Sequence, residues 1–352
     1  MKKNMKIGII VLIVIVFAGI FFSMRPSPSK NASSVNLNGA GSTFVIPLLD
    51  TCKAGYTTAS GATYTYSGGG SGAGRSASDK GIGDFNFTDT PHSATSRLAN
   101  VIHVPVIAAP IAVMYKLALA KPLNLSPSTI AGIFSGTIVK WNDAKIAVEN
   151  SGIALPASKI QVIYRSDASG TSGNFTNFLH GMAPSIWTKV GSNDFKSSFP
   201  GNIDSTANLG RIVSAAGSSG VSVLAGKTLN SITYAEKNYA TAAGLSEAKI
   251  KNAAGNYQSP DAAGTSTFLG AAAVDPNGFL TFNYGTPEAG AYPLGIVSYA
   301  LVDTKSKHAS VVKGLLTYIL SPACSNANPA LGYSTITGSL HDLVLTQIAK
   351  IG

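Results

Sequence analysis

Two kinds of segment alternate along this chain, and their order restricts the fold more than any other feature. Runs rich in β-branched and aromatic residues, "ATYTYSG", "VIHVPVIAAPIAVMYK", "KIQVIYRS", "SITYAE" and "YPLGIVSYALVD", have the composition of strands. Amphipathic stretches lie between them: "VIPLLDTCKAGYTTA", "SPSTIAGIFSG", "GTSGNFTNFLHGM", "NLGRIVSAAG" and "HASVVKGLLTYIL" read as helices. Such alternation predicts an α/β architecture with mostly parallel sheets, because parallel strands need a crossover long enough for a helix. The 352 residues suffice for one large domain or two ordinary ones. With 45% hydrophobic and 12% charged residues, the chain can build a sizeable core and lacks a disordered composition.

The net charge of +10 does not mark a nucleic-acid partner. Residues 1–30 hold Lys2, Lys3, Lys6, Arg25 and Lys30 without an acid, so the rest of the chain carries +10 − 5 = +5, spread without a basic run. The amino-terminal cations precede an apolar run from Ile7 to Met24. That run is about the length of a membrane-spanning helix, and the lysines favour sending the remainder across the membrane. No small-x-small cleavage site follows it, so an uncleaved anchor is favoured over a cleaved signal. "RPSPSKNASS" then reads as a short polar tether.

The two cysteines, Cys52 and Cys324, permit one disulfide in an exported protein or two unrelated buried thiols. Five histidines (His92, His103, His180, His308 and His341) are scattered, and no Cys/His cluster has metal-ligand spacing.

Three loops place glycine and hydroxyl residues just before a predicted helix: "NGAGSTF" (38–44), "YSGGGSGAGRS" (66–76) and "RSDASGTSGNF" (165–175). A helix start offers unpaired N–H groups and the positive end of the helix dipole, and glycine lets a ligand approach the main chain. One such loop is explained equally well by helix capping. Three, with an arginine in the last, suit an oxyanion. Nucleotide motifs fit poorly. "GVSVLAGKT" (220–228) follows no clear strand and has Val221 where a phosphate-binding loop requires glycine. "GGGSGAG" reaches Ala73 or Arg75 where a dinucleotide fold requires its third glycine. No G-x-S-x-G nucleophile elbow is present.

In order along the chain, "GAGSTF" with its following proline, "YSGGGSGAG", "GDFNFTDTP", "IVKWND" and "RSDASGTS" resemble the signature of the phosphate-binding proteins, the substrate-binding components of phosphate-specific ABC importers. The likeness runs from about Asn38 to Trp141, resumes from Gln161 to Phe178, and returns at "YPLGIVSYALV" and "LGYSTIT". Residues 180–290 resemble the family only loosely.

The resemblance implies a type II periplasmic-binding-protein fold, with two mixed, mostly parallel sheets in two lobes joined by two crossover strands. Residues 31–108 with 292–352 would form lobe I and 109–291 lobe II, after an anchor and tether over 1–30. The discontinuous first lobe would bring Cys52 near Cys324 and allow their disulfide. It further implies a ligand set. Thr43 and Phe44 would give hydroxyl and N–H at the first helix start, and Ser71 hydroxyl and N–H at the second. Asp89 would accept, Arg165 would supply the cation with Asp167 orienting it, and Ser169, Gly170 and Thr171 would donate. Trp141 and Asn142 read as structural, and Arg75 is an extra cation beside the second loop whose contact with the anion the sequence leaves open. The implied function is extracytoplasmic capture of inorganic phosphate by a monomer and delivery to a permease, without cofactor, metal or catalysis. The same fold could serve another oxyanion, a phosphate sensor or, less readily, a secreted phosphatase.

A carboxylate in such a site has a physical purpose. An ionised aspartate only accepts hydrogen bonds. Phosphate near neutral pH retains a P–OH proton to give, and sulfate does not. Asp89 would therefore repel sulfate lone pair against lone pair, and the planar fork of Arg165 would offset the repulsion of phosphate.

Overall fold

Val101–Tyr115 forms a single strand of fifteen residues, buried along nearly its whole length. A strand covered on both faces reads in sequence as a continuous apolar run, which "VIHVPVIAAPIAVMY" is. It is the spine of the computed structural model, which describes residues 35–352 except 94, 120, 335 and 337. The apolar run 7–24 lies outside the described residues. Among those described, no helix is long and apolar enough to cross a membrane.

Nine strands make the main sheet: β1 (Asn36–Gly41), β2 (Thr63–Gly69), β3 (Phe85–Thr88), β4 (Val101–Tyr115), β5 (Gln161–Arg165), β6 (Ile212–Ala215), β7 (Ser231–Glu236), β8 (Ser246–Glu247) and β9 (Gly295–Asp303). Their hydrogen-bonded order is β2-β1-β3-β9-β4-β7-β5-β6, with β8 added to β4. β1 pairs parallel with β2 and β3, and β5 parallel with β6 and β7. At the centre β9 is antiparallel to β3 and β4, and β4 is antiparallel to β7 and β8. Two groups of strands share β4, one holding β1, β2, β3 and β9 and the other β5, β6, β7 and β8, and the expectation that they are mostly parallel is corrected. The path through β4 is continuous, and with β8 included the sheet has as many antiparallel pairings as parallel ones. The reason is the central pair, β4 and β9, which run against each other from Gly295↔Pro110 to Asp303↔Val101.

Four helices position the groups discussed below: α1 (Ile46–Ser60), α2 (Ser71–Asp79), α3 (Gly170–Met182) and α4 (Gly217–Lys227). "NLGRIVSAAG", expected as a helix, is instead a turn followed by β6. Its β-branched Ile212 and Val213 register against Val162 and Ile163 of β5, and Gly210 and Gly217 bracket the strand at positive φ. "GVSVLAGKT" therefore does follow a strand. Most of it lies within α4, where interior N–H groups bond inside the helix and cannot cradle a phosphate.

Cys52 of α1 and Cys324 form a disulfide, with Cα atoms 5.4 Å apart and both residues buried. It ties positions 272 residues apart in sequence. Aromatic packing fixes the layers on either side of the sheet. Phe44 meets Tyr333 edge-on at 5.2 Å, and Phe175 of α3 stacks on Tyr234 of β7 at 4.2 Å. Trp141 is fully buried with its indole N–H donating to the Asn230 carbonyl at 3.1 Å, a structural role.

Candidate anion-binding site

The first turn of the site links β1 to α1. The helix begins at Ile46, so Thr43 and Phe44 lie in the turn just before it. The Ser42 hydroxyl donates to Asp89 Oδ2 at 2.7 Å and accepts the Phe44 N–H at 3.1 Å. Phe44 is thus held by Ser42, with its ring in the core. The second turn enters α2 through Gly69 and Gly70, both at positive φ. The hydroxyl of Ser71 accepts the Asp89 N–H and donates to Asp89 Oδ2, each at 3.0 Å.

Asp89 follows β3 and is the hub. Besides Ser42 and Ser71 it accepts the hydroxyl of Ser298, from β9, on Oδ1 at 2.6 Å. It is 4% exposed. Burial lifts its carboxyl to about 6; the Ser298 bond opposes that rise, Glu236 adds to it, and Ser42 and Ser71 pull downwards. At neutral pH the group is still ionised and acceptor-only.

The third turn joins β5 to α3. Arg165 is 2% exposed. Its Nε and Nη2 grip Asp167 Oδ1 and Oδ2 at 2.8 and 2.5 Å, and its Nη1 donates to Ser218 Oγ at 3.0 Å. Burial alone would lower the Arg165 pKa, but Asp167 more than reverses this. Burial also opposes ionisation of Asp167, and the same fork holds its carboxyl below the ordinary range. Asp167 further accepts the Gly217 N–H at the start of α4, at 2.9 Å. Ser169 caps α3 by accepting the Ser172 N–H at 3.2 Å.

Contacts between the turns bring these groups together. Gly72 N–H donates to the Ala168 carbonyl at 2.8 Å, and Asn174 Nδ2 to the Asp89 carbonyl at 2.7 Å. Ser218 N–H donates to Thr43 Oγ1 at 3.2 Å. A Cβ on Gly170 would collide with Ser71 Oγ and Asp89 Cβ, so only glycine permits this approach. Seven of the eight expected ligand residues and Asp167 lie on these turns, and Asp89 stands just after β3 among them. Four main-chain N–H groups, those of Thr43, Ser71, Gly170 and Thr171, have no protein acceptor among the described residues. The arrangement can surround a small oxyanion with N–H donors from all three turns, one guanidinium and one accepting carboxylate.

Some expected donors are engaged within the protein. The Ser71 hydroxyl proton goes to Asp89, and that of Thr171 goes to Glu236 Oε1 at 2.6 Å. Arg75 stands beside the cluster, with Nη1 donating to Thr90 Oγ1 at 3.3 Å, at the wall of a groove of about 770 Å³. That groove far exceeds a tetrahedral oxyanion in size, and Thr43, Asp89, Arg165 and Thr171 do not line it. The chemistry sits one layer deeper.

Sequence reasoning missed Ser42, Ser218, Glu236 and Ser298. Ser298 and Glu236 carried a signal, as polar residues inside or ending otherwise apolar strands. Ser218 carried none, because the strand before α4 was itself unrecognised.

Residues 26–323 match the family described as a PBP superfamily domain, and the chain belongs to that superfamily. Within it the resemblance is to phosphate-binding proteins. The chain is 31% identical over 303 residues to the phosphate-binding protein PstS of Xylella fastidiosa (strain Temecula1), covering 84% of this chain and 79% of the relative. It is 34% identical over 234 residues to PstS2 of Mycobacterium bovis, covering 63% and 59%. Its fold matches a solved high affinity periplasmic phosphate-binding protein (PfluDING) bound with phosphate, at a TM-score of 0.71 and 22% identity over 90% of this chain and 93% of that one.

Proposed function

We propose that this chain binds inorganic phosphate between two lobes outside the cytoplasm and presents it to the permease of an ABC importer. The observation that carries the proposal is the set of N–H groups from three distant turns, left without protein acceptors beside the Arg165 guanidinium and the buried Asp89 carboxylate. A buried dianion must be met by many bonds, each charge-assisted one contributing about 1.5–3 kcal/mol net. Micromolar affinity needs about 8 kcal/mol overall, so a handful of bonds suffices after ordering costs. The names of the PstS relatives support the same ligand.

The lobes are the β1–β3 and β5–β7 groups with their helices, and β4 and β9 are the connections about which they close. Ligand contacts to both groups favour the closed form over the open one. Residues 7–24 hold the protein at the membrane and 25–34 tether it. Isothermal titration of the protein with phosphate, and with sulfate in competition, tests the proposal. One phosphate per chain with micromolar or tighter affinity and no displacement by sulfate is expected. Absence of phosphate heat, or equal competition by sulfate, contradicts it.

A further inference from the structure

Thr90 follows Asp89 directly, and its side chain is engaged outside the set expected to hold the anion. The hydroxyl donates to Asn193 Oδ1 at 3.2 Å and accepts Asn193 Nδ2 at 3.1 Å and Arg75 Nη1 at 3.3 Å. The Thr90 carbonyl accepts the Thr88 hydroxyl at 2.8 Å, which fixes the residue to the end of β3. Asn193 stands between α3 and β6, 103 residues further along the chain. Its carbonyl accepts the Ser169 N–H at 2.9 Å, and Ser192 beside it exchanges hydrogen bonds with the Thr176 hydroxyl of α3. One asparagine therefore holds the Asp89 segment through its side chain and the Ser169 turn through its main chain. Gly173 of α3 lets the two side chains meet. A Cβ there would lie 2.9 Å from Thr90 Cγ2 and nearer still to Asn193 Oδ1.

We propose that Thr90 and Asn193 form a clasp between the two lobes, which holds the Asp89 segment against the Ser169 turn and slows the release of phosphate. This rests on the phosphate function and the lobes proposed above. Both are positioning residues, acting through the groups beside them. The clasp joins the β1–β3 group to the β5–β7 group, so it belongs to the closed form. A contact made in that form alone raises the closed population, and the apparent affinity rises with it. Capture by the open form is left unaltered, so the effect of the clasp falls on release.

Release of radiolabelled phosphate under an unlabelled chase gives the off-rate, and calorimetry gives the affinity; together they give the on-rate. Thr90→Val keeps the side-chain shape and removes the hydroxyl. It should release phosphate about fivefold faster and lose affinity by the same factor, with the on-rate unchanged. Thr90→Ser retains the hydroxyl and should match the unaltered protein. Asn193→Ala should equal Thr90→Val, and the double variant should add nothing further, because each substitution removes the same contact. Should Thr90→Val fail to fold, Asn193→Ala carries the same comparison. Unchanged release in the folded variants, additive losses in the double variant, or a loss confined to the on-rate overturns the clasp while phosphate binding stands. An absence of phosphate heat from the unaltered protein instead overturns the proposed function, and the clasp with it.

Discussion

Asp89 gathers three serine hydroxyls from three parts of the chain, and that wiring settles how a buried carboxylate stays charged. Burial alone would push it further towards neutrality; the hydroxyls bring it to about 6. Because its folded value lies above that of the unfolded chain, the ionised group costs stability at neutral pH. That cost, about 3 kcal/mol, disappears as pH falls from about 6 towards 4. Asp89→Asn should therefore gain stability relative to the unaltered protein as pH rises from 4 to 7, read by denaturant titration across that range. A constant difference would show that Asp89 does not carry the buried charge. The same variant supplies an N–H donor, so sulfate, excluded before, should bind to it with measurable heat. Asp89 and Arg165 were legible in sequence through their motifs. Of their hydroxyl partners, Ser298 was hinted at only as a polar residue within an apolar strand, and Ser42 and Ser218 acquire meaning only when segments remote in sequence are set side by side.

At the scale of elements, the site depends on turns that touch. Gly170 begins α3 directly against Ser71 and Asp89. Gly170→Ala keeps the helix propensity of this position or improves it, yet places a methyl group in that contact. It should weaken phosphate binding at least tenfold by titration and cost about 1–3 kcal/mol of stability as an overpacked contact. Unchanged affinity would mean that the two turns need not meet. The strands of high β-branched content and the longer helices could be read from periodicity alone. β1, rich in glycine and asparagine, and β6, only four residues long, could not, because pairing with neighbours and not composition makes them strands. The equal share of antiparallel pairing was hidden for a related reason. Local pattern sets the kind of element, whereas the direction of β9 against β4 is a property of the whole path.

Across the whole molecule, the Cys52–Cys324 disulfide joins the first helix to a segment near the chain's end. Closing so long a loop restricts the unfolded chain, and such bonds typically contribute about 2–4 kcal/mol. A Cys52→Ser, Cys324→Ser double variant should unfold at lower denaturant concentration by that margin while retaining its phosphate stoichiometry. Equal midpoints would deny the bond a stabilising role. The central claim is that turns separated by up to 128 residues, from Thr43 to Thr171, converge on one anion. A crystal structure of the protein grown with phosphate tests it most directly. The account predicts one tetrahedral ion within hydrogen-bonding distance of the Thr43, Ser71, Gly170 and Thr171 N–H groups, of Arg165 and of Asp89. An ion held by one turn alone, or seated in the groove beside Arg75, would contradict it.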